Sequence, residues 1–359
     1  MRVLTVLPRR EGYAFDRAGA IALLVSRLAD ADDAVLGCPV DGDPLPGGRF
    51  VPIEEVGAPW SWLSENMRYQ VACQRAIRRL RPDLIEVHNK PALAAALSRQ
   101  AKVHLILHND PQDMRGARSP GQRADLLKRV RVITVSDWVR KRYLDDLDDA
   151  PVTVMPNCLD LSALPPRLTQ RKPTVLFVGR MVADKGADAF VRAWASVAGH
   201  APDWKAVMIG ADRFRFNSPR TTFIDRVEAQ ADAVGIIHTG YQTHAQVLAA
   251  MAEAAIVVVP SRWPEPFGLT ALEAMASGAA VISSPYGGLP ETVGDAALRA
   301  RPDVAGELES AMLRLIGNDA EREELSRLGL ERARGFDVPA ARQRLMTLRR
   351  QTVSGDLGI

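Results

Sequence analysis

The chain has 359 residues, 47% of them hydrophobic and 25% charged, with a formal net charge of +3 and a pI near 8.8. This composition excludes a disordered chain, and the length exceeds one ordinary core, so two domains are expected. The mild basicity demands no nucleic-acid partner. Three scattered cysteines (Cys38, Cys73, Cys158) suit neither a disulfide framework nor a zinc spacing and agree with a reducing cytosol.

The opening MRVLTVLPRR reads as a short strand running into Pro and Arg, its apolar stretch too short for a secretory signal. Strands are expected over 2–7, 84–87, 103–107, 131–135 and 152–155. Helical patterns fall between them, near 17–30, 66–81, 91–99, 119–129 and 136–145. Asp41–Gly42–Asp43 sits in turn-rich DGDPLPGG with no strand leading into it, so its Asp-x-Asp reads as a turn rather than a metal site. Trp60 and Trp62 either pack over an acceptor sugar or form a satellite core beneath a loop. Two basic runs, Arg68 to Arg81 and Arg118 to Arg131, offer either a solvated helix face or a surface for an anionic membrane or a phosphate-bearing acceptor. His104 is expected to be half-buried. His108, at the carboxyl end of the same strand, is expected to reach the ligand side.

LSALPPRLTQRKPT (161–174) has three prolines and no period, as a linker should. Beyond it, strands are expected near 174–178, 205–209, 235–238, 255–259 and 280–283. Helices are expected near 186–198, 219–234, 243–253, 268–277, 303–316 and 319–334. An amphipathic helix from 338 to about 350 precedes a tail, QTVSGDLGI, expected to be mobile. The alternation gives an α/β chain of two units, each a parallel sheet covered on both faces by helices, with a cleft between them. No segment approaches the length of a transmembrane helix.

The densest chemistry lies in VVPSRWPEPFGLTALEAMASGAAVISSPYGGLPETV (258–293). Glu265 falls in a Pro-rich loop and Glu273 on the helix that follows, with Gly268 where that helix begins. The free N–H groups near Phe267, Gly268, Leu269 and Thr270 form an anion site. The carboxylates suit the hydroxyls of a ligand. TVLFVGRMVADKG (174–186) runs strand into turn and projects Arg180 and Lys185 at a strand's carboxyl end, where open α/β sheets bind ligands. A planar fork and a mobile point charge together can hold a diphosphate and stabilise it as it departs.

These stretches, with LILHNDP (105–111), VTVMPNCLD (152–160) and GGLPETV (287–293), resemble the family 4 retaining glycosyltransferases of the GT-B fold. The resemblance implies two Rossmann-like domains facing across a cleft. An acceptor-binding domain would span 1–163, with helix 338–351 packing back on it. A nucleotide-sugar-binding domain would span 164–337. It implies that Glu265 contacts the donor sugar, Glu273 binds the ribose, and Arg180 and Lys185 hold the diphosphate. His108 would lie beside the reacting sugar, and Gly19 would close on the diphosphate. The chain departs from the family pattern at Ala18–Gly19, where a glycine pair is usual, and at Asn157–Cys158, where Asn-Gly is usual.

The expected activity is metal-independent transfer, with retention, from a UDP- or GDP-linked sugar to a saccharide or lipid-linked saccharide hydroxyl. The nucleotide sugar is a substrate and no cofactor is expected. The setting is the cytoplasm, with peripheral membrane contact through the amino-terminal domain, in synthesis of lipopolysaccharide or another surface polysaccharide. A glycoside hydrolase using Glu265 and Glu273 is the rival, but it has no diphosphate for the Arg–Lys pair to hold. A non-catalytic sugar-nucleotide binder is another. A dinucleotide oxidoreductase lacks its Gly-x-Gly-x-x-Gly.

Overall fold

A computed structural model describes residues 1–15, 18–54, 62–148, 150–168, 170–213 and 218–355. The chain divides into two compact units: Met1–Cys158 together with the chain from Val338 onward, and Leu159–Asp337.

The first unit is built on a seven-stranded parallel sheet: β1 (Val3–Val6), β2 (Ala34–Gly37), β3 (Arg49–Pro52), β4 (Leu84–His88), β5 (Lys102–Leu107), β6 (Arg131–Thr134) and β7 (Val152–Val154). Their order is β3-β2-β1-β4-β5-β6-β7. β1, β2 and β4 are buried along their whole length, as short Val/Leu/Ile runs covered on both faces must be. Helix Val338–Ser354 belongs to this unit. Its Ala341 and Leu345 pack with Leu24, Leu28, Ile106 and Ile133. Deeper along it, Arg349 forks onto both oxygens of Glu86 (2.9 and 2.8 Å) and reaches Asp33 (2.8 Å), all buried.

The second unit carries six parallel strands: β8 (Lys172–Val178), β9 (Lys205–Ile209), β10 (Ile237–His238), β11 (Ala254–Val259), β12 (Ala280–Ser283) and β13 (Ala297–Arg299). Their order, β10-β9-β8-β11-β12-β13, repeats the Rossmann pattern. Strand order reverses between β1 and β4 in one unit and between β8 and β11 in the other. The loops leaving those strands are the expected ligand loops.

Several expectations change. β2 leads into the Asp41–Gly42–Asp43 stretch and β3 follows it, although Asp41 and Gly42 still bend. Strand β13 and helix Leu289–Val293 were not expected from the sequence. Residues 351–354 of the supposed tail are helical, while 356–359 lie outside the described residues. Arg123, read as part of a basic surface, is fully buried. Its guanidinium donates to the carbonyls of Tyr143, Ala117, Arg118 and Asp145. His104 is fully buried too, held by Thr352 (2.8 Å) and beside Glu86. Leu159 and Leu161, ahead of the expected boundary at 163, already join the second unit through Phe336 and Asp337. Among the described residues no helix is long and apolar enough to cross a membrane.

Candidate active site

In the second unit the predicted residues gather at the switch point. Arg180 and Lys185 follow β8, and the 260–268 loop follows its neighbour β11, with Val258 paired to Phe177. The two loops are stitched together. Asp184 O accepts the N–H groups of Arg262 (2.8 Å) and Trp263 (3.0 Å). Arg262 donates to Ala183 O (2.8 Å) and to the carboxylates of Asp188 (2.7 Å) and Asp303 (2.6 Å). Gly186 has φ +73°, and a Cβ there would collide with Pro260 O, so only glycine permits this approach. Asp188, in the first turn of the helix that follows Gly186, is held by Arg262 and Arg192. Burial would raise its carboxyl, but these guanidiniums outweigh burial and bring it down to about 2.

This stitching sets the Lys185 ammonium directly on Glu265 Oε1, with 24% and 15% of the side chains exposed. Glu265 is fixed from behind as well. Its carbonyl accepts Gly288 N–H (2.6 Å). Gly287 (φ +66°) leaves no room for a Cβ against the Pro264–Glu265 backbone. Thr292 Oγ1 donates to Phe267 O (2.5 Å), and the buried Phe267 ring packs edge-on against Phe336. Helix Leu269–Ala276 starts from Gly268 (φ +97°). No acceptor among the described residues takes the N–H groups of Phe267, Gly268, Leu269 or Thr270, so the helix start stays available to an anion. Glu273 lies on this helix and pairs with His244 Nε2 at 2.8 Å.

No sequence signal marked the pairing of His244 with Glu273 or what Gly287, Gly288 and Arg262 do. Only the density of Gly and Pro around Glu265 hinted that a second loop presses on it. Arg220 is tied to Asp225 and Glu228. Arg215 and Trp60 lie outside the described residues, and Trp62 is 77% exposed.

In the first unit, His108 follows β5 and is half-buried. Its backbone N–H donates to Asn89 Oδ1 (2.7 Å) and its Nε2 meets His88 Nδ1 (2.8 Å). Burial, then His88, hold its basicity well below the usual histidine range, with Asn157 opposing. Gly19 caps helix Ala20–Leu28, but the anion at that helix start is internal. Glu11 Oε1 accepts Ala22 N–H (3.0 Å) and lies where a Gly19 Cβ would point.

Two family models match. Residues 20–163 match Glycosyltransferase Family 4, and residues 165–332 match Glycosyl transferases group 1. The chain therefore belongs to the family 4 glycosyltransferases, with the GT-B fold. It is 30% identical over 175 residues to a D-inositol 3-phosphate glycosyltransferase of Corynebacterium aurimucosum, an overlap of 48% of this chain and 41% of that one. It is 26% identical over 250 residues to a lipopolysaccharide 1,2-N-acetylglucosaminetransferase of Salmonella typhimurium, covering 66% and 62%. The chain thus spans less than two thirds of either relative. Its fold superposes on sucrose-phosphate synthase from Thermosynechococcus elongatus with a TM-score of 0.79 at 21% identity, covering 99% and 100%. It also superposes on Anabaena HepE in complex with UDP and glucose, with a TM-score of 0.74 at 16% identity, covering 97% and 99%. At such identities the likeness speaks to the fold alone.

Proposed function

We propose that this protein is a retaining, metal-independent glycosyltransferase that moves a sugar from a UDP- or GDP-linked donor to a hydroxyl acceptor. One observation carries the reading. Lys185, Glu265 and the open helix start at 268–270 converge on adjacent parallel strands at the switch point of the second unit. Charge that builds on a departing diphosphate would meet Lys185, Arg180 and the unpaired N–H groups of Phe267 to Thr270. Glu265 would take donor-sugar hydroxyls and Glu273 the ribose. His108, with Gly19, would act from the amino-terminal, acceptor-binding unit. In the transfer, the bond from the anomeric carbon to the diphosphate oxygen breaks, the acceptor oxygen bonds that carbon with net retention, and the acceptor's hydroxyl proton leaves with the diphosphate.

A hydrolase reading has less support, because Glu265 and Glu273 each already have a separate basic partner, Lys185 and His244. The named activity of the Salmonella relative favours lipopolysaccharide or another surface polysaccharide as the product, with a lipid-linked saccharide as acceptor. We place the reaction in the cytoplasm, where the basic runs of the first unit would meet an anionic membrane. Thermal shift against UDP, GDP and ADP, and then their sugars, tests the donor class, since ligand binding raises apparent stability by mass action. No shift with any nucleoside diphosphate would overturn the reading. Release of free sugar from a plain glycoside would favour the hydrolase.

A further inference from the structure

His88, the last residue of β4, was not singled out from the sequence, yet its ring lies against the His108 ring. The two rings stack nearly parallel, 12° between planes and 5.1 Å between centroids, with His88 Nδ1 2.8 Å from His108 Nε2. A hydrogen bond between two neutral imidazoles needs one N–H and one lone pair, so the tautomer of one ring dictates that of the other. Both rings are held neutral: burial lowers His88 to about 4 and His108 well below its ordinary value.

The outer nitrogens decide which ring donates. Asn157 Oδ1 is buried, has no completed hydrogen bond, and acts on His108 as an acceptor would, favouring a proton on the ring. Because His108 Nε2 is engaged by His88, the proton Asn157 favours is on Nδ1. His88 Nε2, at the other end, is buried without a protein partner. It lines a cavity of about 10 Å³ shared with Thr5, Glu86 and Arg349, room for about one water. Such a water can donate to a bare Nε2 and to Glu86 at once. The far end permits a bare His88 Nε2, and Asn157 at the near end favours the proton on His108 Nδ1.

We propose that His88 is a positioning residue that donates its Nδ1–H to His108 Nε2 and thereby locks His108 in the Nδ1–H tautomer. The one proton of the neutral His108 ring then stays on Nδ1, beside Asn157 Oδ1, and a sugar oxygen that reaches this nitrogen meets a donor rather than a lone pair. The inference rests on the reading of His108 as a neighbour of the reacting sugar.

The test is two-bond ¹⁵N–¹H correlation on the full-length, histidine-labelled protein, with His108 assigned by its own replacement. In the wild type, His108 should show a protonated Nδ1 and a bare Nε2. His88→Phe keeps a ring but removes the donor. It should mix the His108 tautomers and lower kcat about tenfold, the scale of one lost neutral hydrogen bond, with the donor KM unchanged. His88→Asn places a carboxamide N–H where Nδ1–H was and should restore both. A protonated Nε2 on His108 in the wild type overturns the proposal without any variant. So does an unchanged His108 tautomer in His88→Phe. Full transfer by His108→Ala would overturn instead the reading of the site, which the tautomer measurement does not depend on.

Discussion

The Lys185 ammonium rests on Glu265 Oε1, so the cation assigned to the diphosphate and the carboxylate assigned to the sugar neutralise each other. A nucleoside diphosphate must therefore compete with Glu265 for Lys185. Glu265→Gln removes the competing charge but keeps the shape. Its stabilisation by nucleoside diphosphates should equal or exceed that of the wild type, while sugar transfer is lost. Lys185→Ala should abolish that stabilisation, and it should lower the unliganded stability by about 1–3 kcal/mol because Glu265 is left mostly buried and unpaired. Thermal shift and initial rates on the same preparations decide this. A smaller shift in Glu265→Gln would remove the competition.

Gly287 holds the Glu265 loop by absence. At φ +66° a side chain is strained, and a Cβ would run into the Pro264–Glu265 backbone. Gly287→Ala should cost about 1–3 kcal/mol and move Glu265 away from Lys185. The expected signature is a loss of kcat larger than the loss of nucleoside diphosphate binding, since Lys185 and Arg180 belong to another segment. Unfolding midpoints and rates together check it; unaltered kcat would show that the second loop is passive.

What the sequence disclosed follows from how local each signal is. Strand–turn–helix alternation and the Glu265–Gly268–Glu273 spacing lie within one short stretch, and both sheets and the gathered Lys185 and Glu265 were legible from them. β2 and β3 were not. Each has four residues, and the Asp, Gly and Pro between them read as turn chemistry alone. Arg123 looked like surface charge because nothing local shows the carbonyls that surround it, and nothing in the amphipathic pattern of 338–350 announces the two carboxylates that meet Arg349. The His88–His108 pair and Glu273–His244 are contacts 20 and 29 residues apart. No periodicity encodes them; only the sheet order brings the ends of β4 and β5 side by side.

Arg349 should matter to folding more than any surface arginine. It offsets two buried carboxylates, Asp33 and Glu86, and removing it leaves both without their counter-charge. Arg349→Met should destabilise the protein by about 3–5 kcal/mol and speed amide exchange along helix Val338–Ser354. Adding Asp33→Asn and Glu86→Gln should recover much of the loss, because a neutral cluster carries no unpaired charge. Urea unfolding of the single and triple variants tests this. A triple variant no more stable than Arg349→Met would mean that packing, not charge, dominates there.

The same neighbourhood sets the acid limit of stability. Burial alone would raise the Glu86 carboxyl, but Arg349 overrides burial and pulls it well below the carboxylate range. That contribution is intact above about pH 4.5 and fades as pH falls below it. His88 acts at higher pH. Burial lowers it from 6.5 to about 4, so between those values the unfolded chain binds a proton that the folded one refuses. Its contribution is complete above pH 6.5 and declines as the pH drops toward 4, by about 2 kcal/mol at pH 5. Urea midpoints should therefore fall between pH 7 and pH 5, before Glu86 begins to titrate, with His108 adding in the same direction. His88→Phe, which cannot take the proton in either state, should flatten that decline. A decline of equal steepness in wild type and His88→Phe would place its origin elsewhere than in His88.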